Sequence, residues 1–357
     1  MKALCAVCIF FCLISVACAA EQAPMVYDRA VLTEDTTWRG FILVKDFVIV
    51  APQATLRISP GTMVRFVASS RQLPNLVVQG RIHAAGTSEQ PIVLRSDTSR
   101  STGGSWGGVV LLSTEKRNLL EHCRIENPET GIDVRFSTIT MKSVFISTAQ
   151  TALLSHDGVI QLTGGTISDS GTGIELYNSE FDGRDTTISS CARGCVASKS
   201  ALVLSSVTIS GNQQSGLESE ECRLKITGGN FSENTRGARI RGGEGQVFMT
   251  RFQKNRETAL HISGSRIKIQ RCLFSDNSQD ALRTEDGRSL LTDNAFSSNG
   301  GFNVFNAGRE VVSARQNWWG TTDPSRISKG ISDAALDAKS GTVQVFPWLN
   351  EKPQLVP

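Results

Sequence analysis

Two carboxylates, Glu175 and Glu218, stand where chemistry on a sugar could be done. Each directly follows a glycine-apolar pair, Gly173-Ile174 and Gly216-Leu217, so in an extended chain both point away from the buried apolar residue. An acid and a base on opposite sides of a glycosidic bond is the arrangement of inverting glycosidases. A second group is cationic. Arg239, His261 and Arg283 follow the same kind of pair further along, and Arg266 and Lys268 flank Ile267 on the next segment. Stacked cations repel unless an anion lies against them, so an acidic polymer is the ligand expected of these five residues. Cys191 and Cys195 bracket a predicted turn and are candidates for a local disulfide in an oxidising compartment. The histidines His83, His122, His156 and His261 are scattered, without metal-ligand spacing, so neither a metal nor a cofactor is expected.

These residues owe their register to an internal repeat. A small residue followed by an apolar one recurs at Gly131, Ala152, Gly173, Gly194, Gly216, Gly237, Ala259 and Ala281, in steps of 21 or 22. A second series keeps the same step: Ile125, Ile146, Ile167, Ile188, Ile209, Phe231, Phe252, Phe274 and Phe296. Asn212, Asn234, Asn255, Asn277 and Asn299 each follow one of its members by three residues. Apolar residues alternate with polar ones, as in Leu260/Ile262 and Ile267/Ile269, which is the period of strands with one buried face. Three short strands and their turns fill one repeat. A single repeat cannot bury its apolar face, but a stack can, with each strand about 4.8 Å below its equivalent. The sequence therefore predicts an all-β chain wound as a three-faced parallel β-helix. The Ile/Phe series becomes an internal stack, the asparagines a turn ladder, and glycines the tight corners. On this stacking Glu175 and Glu218 are two rungs, roughly 10 Å, apart, near the wide end of the inverting range.

The 357 residues are 39% apolar, 20% charged and 6% aromatic, with 32 glycines, which excludes collagen, a coiled coil, a disordered tail and a multi-pass membrane protein. A formal charge of +3 conceals an asymmetry. Residues 121–222 hold 13 acidic against 6 basic residues, and residues 223–288 hold 7 against 13. A rod of stacked repeats is then bipolar, and end-to-end self-association is one expected consequence. Trp38, Trp106, Trp318, Trp319 and Trp348 all lie outside residues 121–310, where caps for the ends of a solenoid are expected.

Residues 1–20 read as a signal peptide: Lys2, an apolar run from Ala3 to Val16, and a small-residue exit at Ala17-Cys18-Ala19-Ala20. A lipid anchor at Cys18 is the alternative reading of the same segment. Both place the mature chain outside the cytoplasm, in the periplasm, the outer envelope or the extracellular space. No later segment has the ~20 apolar residues of a membrane helix.

Several motifs now carry a resemblance. Ala54-Thr55-Leu56-Arg57-Ile58-Ser59-Pro60-Gly61-Thr62, Gly80-Arg81-Ile82-His83-Ala84-Ala85-Gly86-Thr87 and Gly104-Ser105-Trp106-Gly107-Gly108-Val109 are similar to the opening turns of exported bacterial right-handed parallel β-helix repeat proteins. Asn317-Trp318-Trp319-Gly320-Thr321-Thr322-Asp323-Pro324 resembles their closing motif. The resemblance covers nearly all of the mature chain and implies the right-handed β-helix of the pectate-lyase-like superfamily. It does not imply an activity, since that superfamily includes lyases, hydrolases, epimerases, adhesins and phage spikes. Of the polygalacturonase-like motifs only Arg266-Ile267-Lys268 is present, and no dense Asp cluster of the pectate-lyase kind occurs.

The chain thus divides into a signal peptide (1–20), an N-terminal cap with the first turns (21–116), regular repeats (117–310) and a C-terminal cap (311–357). The expected function is a non-catalytic binding or structural module of the cell envelope that contacts an acidic polysaccharide through its basic face. The alternative is a polysaccharide hydrolase or lyase using Glu175 and Glu218. Nucleic acid is not an expected partner, because the leader implies export and no aromatics interleave the basic residues.

Overall fold

A computed structural model describes residues 23–67, 73–96, 104–285 and 288–354. Residues 1–20, on which the expected signal peptide and the Cys18 anchor fall, lie outside them. In the described residues the chain winds as a parallel β-solenoid. One coil runs through Thr172–Tyr177 on the first face, Glu180–Arg184 on the second and Thr187–Ser189 on the third. Each strand pairs in parallel with its equivalent in the next coil, Arg193–Ser198, Ala201–Ser205 and Thr208–Ser210. The first faces form a 14-stranded sheet, and the second and third join into one of 25 strands. In two coils the second and third faces are crossed by single ten-residue strands, Thr138–Ser147 and Val159–Ser168.

The alternation seen in the sequence fills the interior. Phe231, Phe252, Phe274 and Phe296 are fully buried and stack face to face with ring centroids 5.0, 5.1 and 5.0 Å apart. Trp319 continues the pile on Phe296 at 4.9 Å. Each stacked pair adds about 0.5–1.5 kcal/mol beyond simple burial. Trp106 departs from the expected end position. It is buried within the wall, stacked on Phe66 at 4.0 Å, with its indole donating to the Glu126 carbonyl at 2.8 Å.

The asparagine ladder forms. Asn212, Asn234 and Asn255 each donate their backbone N–H to the Oδ1 of the next member, at 3.0, 3.2 and 3.0 Å. Their Nδ2 groups also reach backbone carbonyls, Asn234 to Ile209 at 2.9 Å and Asn255 to Phe231 at 3.1 Å. A second ladder, which the sequence reading did not foresee, runs Cys272–Asn294–Asn317. The corners themselves are mostly not glycine. Ser190, Glu233, Lys254, Asp276 and Ser298 each precede a ladder position at φ between 55° and 60°. Their left-handed geometry costs ~1–2 kcal/mol per residue and is held by the ladder bonds. The recurring glycines act elsewhere, at close approaches between rungs. A Cβ on Gly194 would lie 2.4 Å from the Gly216 carbonyl oxygen, so no side chain fits there. No helix among the described residues is long and apolar enough to cross a membrane.

Candidate functional site

Strand pairing sets Asp133, Leu154, Glu175, Val196, Glu218, Arg239, His261 and Arg283 in one column on the first face. Of its three basic residues only His261 has a carboxylate partner; Arg239 and Arg283 form no ion pair among the described residues, and the Arg239 Nε is buried without a hydrogen-bond partner. Arg239 is in register with Glu218, and the next residue column pairs Arg241 with Glu220 at 3.4 Å. Arg236 lies 3.5 Å from Glu257. His261 Nε2 is 2.9 Å from Glu285 Oε1, and the Arg283 guanidinium sits 4.2 Å over the Phe305 ring. Burial holds the His261 imidazole below the usual histidine range, against the pull of Glu285, and Arg239 and Arg283 push the same way as burial.

Arg266 and Lys268 do not join that column. A corner at Gly264-Ser265 turns the chain between Leu260–Ser263 and Arg266–Gln270, so they face outward from the second face. There the register aligns Arg223, Glu244 and Arg266 in one column and Lys225, Gln246, Lys268 and Leu290 in the next. Arg223, Lys225, Arg266 and Lys268 have no ion-pair partner among the described residues. They rim a groove of about 640 Å³ that crosses successive coils, with Ala201 and Val203 at one end and Leu290 at the other. Its floor is the strand backbone of Leu202, Leu224, Gly245 and Ile267, whose side chains turn into the core, and its apolar lining comes from Ala201, Val203 and Leu290. At Gly245 (φ +154°) an added Cβ would lie 2.0 Å from the Leu224 carbonyl oxygen, so the rung is drawn tightly against its neighbour. Sequence reasoning named Arg266 and Lys268 but had no signal for the groove itself.

Glu175 and Glu218 face outward with the Val196 rung between them. The Tyr177 phenol donates to Glu175 Oε1 at 2.7 Å, which raises the phenol above the usual tyrosine range. Tyr177 also stacks on His156 at 4.9 Å, and Arg193 donates to the Thr172 hydroxyl at 2.9 Å nearby. Sequence reasoning did not connect His156 or Arg193 to Glu175. The link is a cross-rung contact, visible only once the register is fixed.

The disulfide expected between Cys191 and Cys195 is absent: both thiols are free and buried. Cys191 occupies the asparagine-ladder position of its coil, where its N–H donates to Asn212 Oδ1 at 3.0 Å. Cys195 belongs to the inward column Ile174–Cys195–Leu217 on the first face. Each side chain is thus committed to its own stack. Burial pushes the Cys195 thiol up to about 12, as it does Cys123 and Cys272. Among the described residues no three His, Cys, Asp or Glu side chains converge to hold a metal ion.

A parallel solenoid whose surface sites are built from outward strand columns is the class that fold and site define together. Residues 102–250 and 172–317 match the family model of the right handed beta helix region, and residues 29–132 match that of the pectate-lyase like beta helix domain. The chain belongs to the right-handed β-helix family. No curated protein matches it. Among solved structures it is similar to the A-module of mannuronan C-5 epimerase AlgE6 from Azotobacter vinelandii, 10% identical over 93% of this chain and 90% of that one, with a TM-score of 0.44. It is similar also to the AlgE4 A-module of that organism, 12% identical over 70% and 88%, TM-score 0.47. Tailspike protein 3 of bacteriophage CBA120 is 9% identical over 93% and 56%, TM-score 0.38.

Proposed function

We propose that this protein is exported, to the periplasm, outer envelope or extracellular space, and there binds a segment of an acidic polysaccharide along the groove of its second face. The observation that carries this reading is the set of four cations without an ion-pair partner among the described residues, Arg223, Lys225, Arg266 and Lys268, around one groove that Val203 and Leu290 also line. A cleft with an excess of one sign of charge concentrates the opposite charge, and the four cations outnumber Glu244, the carboxylate that stands in register between Arg223 and Arg266. Sugar rings present apolar faces as well as charged substituents, which suits both the apolar ends and the cationic rim of the groove. Binding of this kind needs no bound metal or cofactor. It is tested by retention of the mature chain on an immobilised heparin matrix. Lys225→Glu with Lys268→Glu is expected to abolish retention, and unchanged retention would sink the reading.

A second reading has its own observation in the Tyr177–Glu175 hydrogen bond beside His156. A carboxylate flanked by a phenol and an imidazole on an outward strand column could act on a bound sugar, with Glu175 as the acid or base. Its test is product release from a polysaccharide panel.

A further inference from the structure

The two ends of the rod are built differently. At the C-terminal end the helix Pro324–Lys329 places Ile327 in the core, and Val345 and Trp348 of the tail pack on it. The tail is also tied across the last coil: the Leu349 N–H donates to the Asn317 carbonyl at 3.0 Å and the Gln316 N–H to the Pro347 carbonyl at 2.6 Å. The strands that finish this end, Ile331–Ser332 and Val343–Gln344, are two residues each. The first coil has no such cover among the described residues. Its strands Met25–Tyr27, Ala30–Leu32 and Thr36–Trp38 each pair with the following coil and, among the described residues, with nothing on the other side.

Register shows what this leaves open. Met25 and Tyr27 belong to the inward columns of Ile42 and Val44, and Ala30 and Leu32 to those of Val48 and Val50, all four of which are fully buried one coil on. On the first coil Met25 is 50% exposed, and Tyr27, Ala30 and Leu32 are only partly covered. Val31, at an outward position between two of them, is 53% exposed. An unpaired strand edge over apolar core is a template for another strand. In the exported chain proposed above only residues 21–24 precede Met25, too few to form a coil, so the cover comes from another molecule. The C-terminal end, closed by its helix and tail, offers no matching edge, so head-to-tail growth lacks its second surface and the same end of a second copy is the one that fits. Arg29 and Asp35 already pair along the rod with Asp46 and Arg57, each at 2.9 Å, and bring no unbalanced charge to the joint. We infer that two copies join N-terminal end to N-terminal end about a two-fold axis, each extending the other's sheets with antiparallel strands and closing its core. The dimer is a rod of double length with one groove on each arm.

The test is the size of the chain from residue 21 onward in solution, by sedimentation equilibrium and small-angle scattering. An interface confined to one cross-section of the rod is small, so a dissociation constant on the order of 10 µM is expected, with mass and longest dimension both doubling between ~1 and ~100 µM. Backbone amides of residues 25–38 should gain protection from hydrogen exchange over the same range. Met25→Lys with Val31→Lys, both at half-exposed positions, should weaken the dimer at least tenfold, since it sets like charges against one another across the two-fold axis. Retention on heparin should be unchanged in that variant, because the groove lies on later coils, and it reports that the variant is folded. Species larger than a dimer would replace the arrangement with head-to-tail stacking and overturn it, as would a dimer untouched by the two substitutions. A monomer throughout the range would overturn it too, and protected amides in that monomer would assign the cover to residues 21–24. Loss of heparin retention in every form would count against the groove alone.

Discussion

The backbone N–H of Cys191 donates to Oδ1 of Asn212 at 3.0 Å, which makes the cysteine a member of the asparagine ladder rather than half of a disulfide. A count of thiols checks this. In the chain lacking residues 1–20, a thiol reagent is expected to find five reactive groups after unfolding, Cys123, Cys191, Cys195, Cys222 and Cys272. In the native state it should find almost none, since burial suppresses the thiolates. A count of three after unfolding would restore the disulfide.

The ladder carries stability as well as shape. Asn255→Ala deletes the acceptor for the Asn234 N–H, leaves the Phe231 carbonyl without its side-chain donor, and removes one of the two donors to Asn277 Oδ1, whose bond from the residue 255 backbone N–H remains. Buried groups left unsatisfied cost about 1–3 kcal/mol each, so a loss of ~2–4 kcal/mol is expected in denaturant unfolding. A change below about 1 kcal/mol would show that these bonds are incidental.

The core stack predicts a larger effect. Phe274→Ala removes the ring between Phe252 and Phe296, and no rearrangement of the rigid coils can fill the space. The expected cost is about 3–5 kcal/mol by calorimetry or denaturant titration.

How much of this was legible beforehand differs by feature. The Ile125-to-Phe296 series and the asparagines could be read from the sequence because a stacked core repeats its chemistry at every rung. The column of Glu175, Glu218, Arg239, His261 and Arg283 followed from the same phase. Cys191 was misread because a ladder position can be filled by any small side chain, so the residue type there gives no clue to its role. Corners were misassigned to glycine because ladder bonds let residues such as Glu233 and Lys254 adopt a left-handed backbone. The groove and the partners of Arg241 and His261 were invisible, since ion pairs across rungs depend on side-chain direction, which repeats do not encode.

His261 offers a pH test. Its folded-state value lies below the usual ~6.5, so as pH falls through that value the unfolded chain takes up a proton that the folded chain resists. The site's contribution to stability is therefore present above about pH 6.5 and lost below it. NMR titration of the ring should give a midpoint under 6.5, and Glu285→Gln should lower it further. A midpoint above 7 would mean that Glu285, not burial, dominates.

For the second reading, incubation with uronate-containing and neutral polysaccharides is expected to release neither new reducing ends nor unsaturated sugars. Release that disappears in Glu175→Gln would assign catalysis to the Tyr177–Glu175 pair.

The central claim is that the second-face cations, and not those of the first face, hold an anionic polysaccharide. Its most direct measurement is the salt dependence of affinity for a heparin oligosaccharide in three forms of the mature chain. Arg266→Glu with Lys268→Glu is expected to weaken binding at least tenfold and flatten the salt slope, while Arg239→Glu with Arg283→Glu leaves both within about twofold. Loss of binding in the first-face pair, with the groove pair unaffected, would contradict the account.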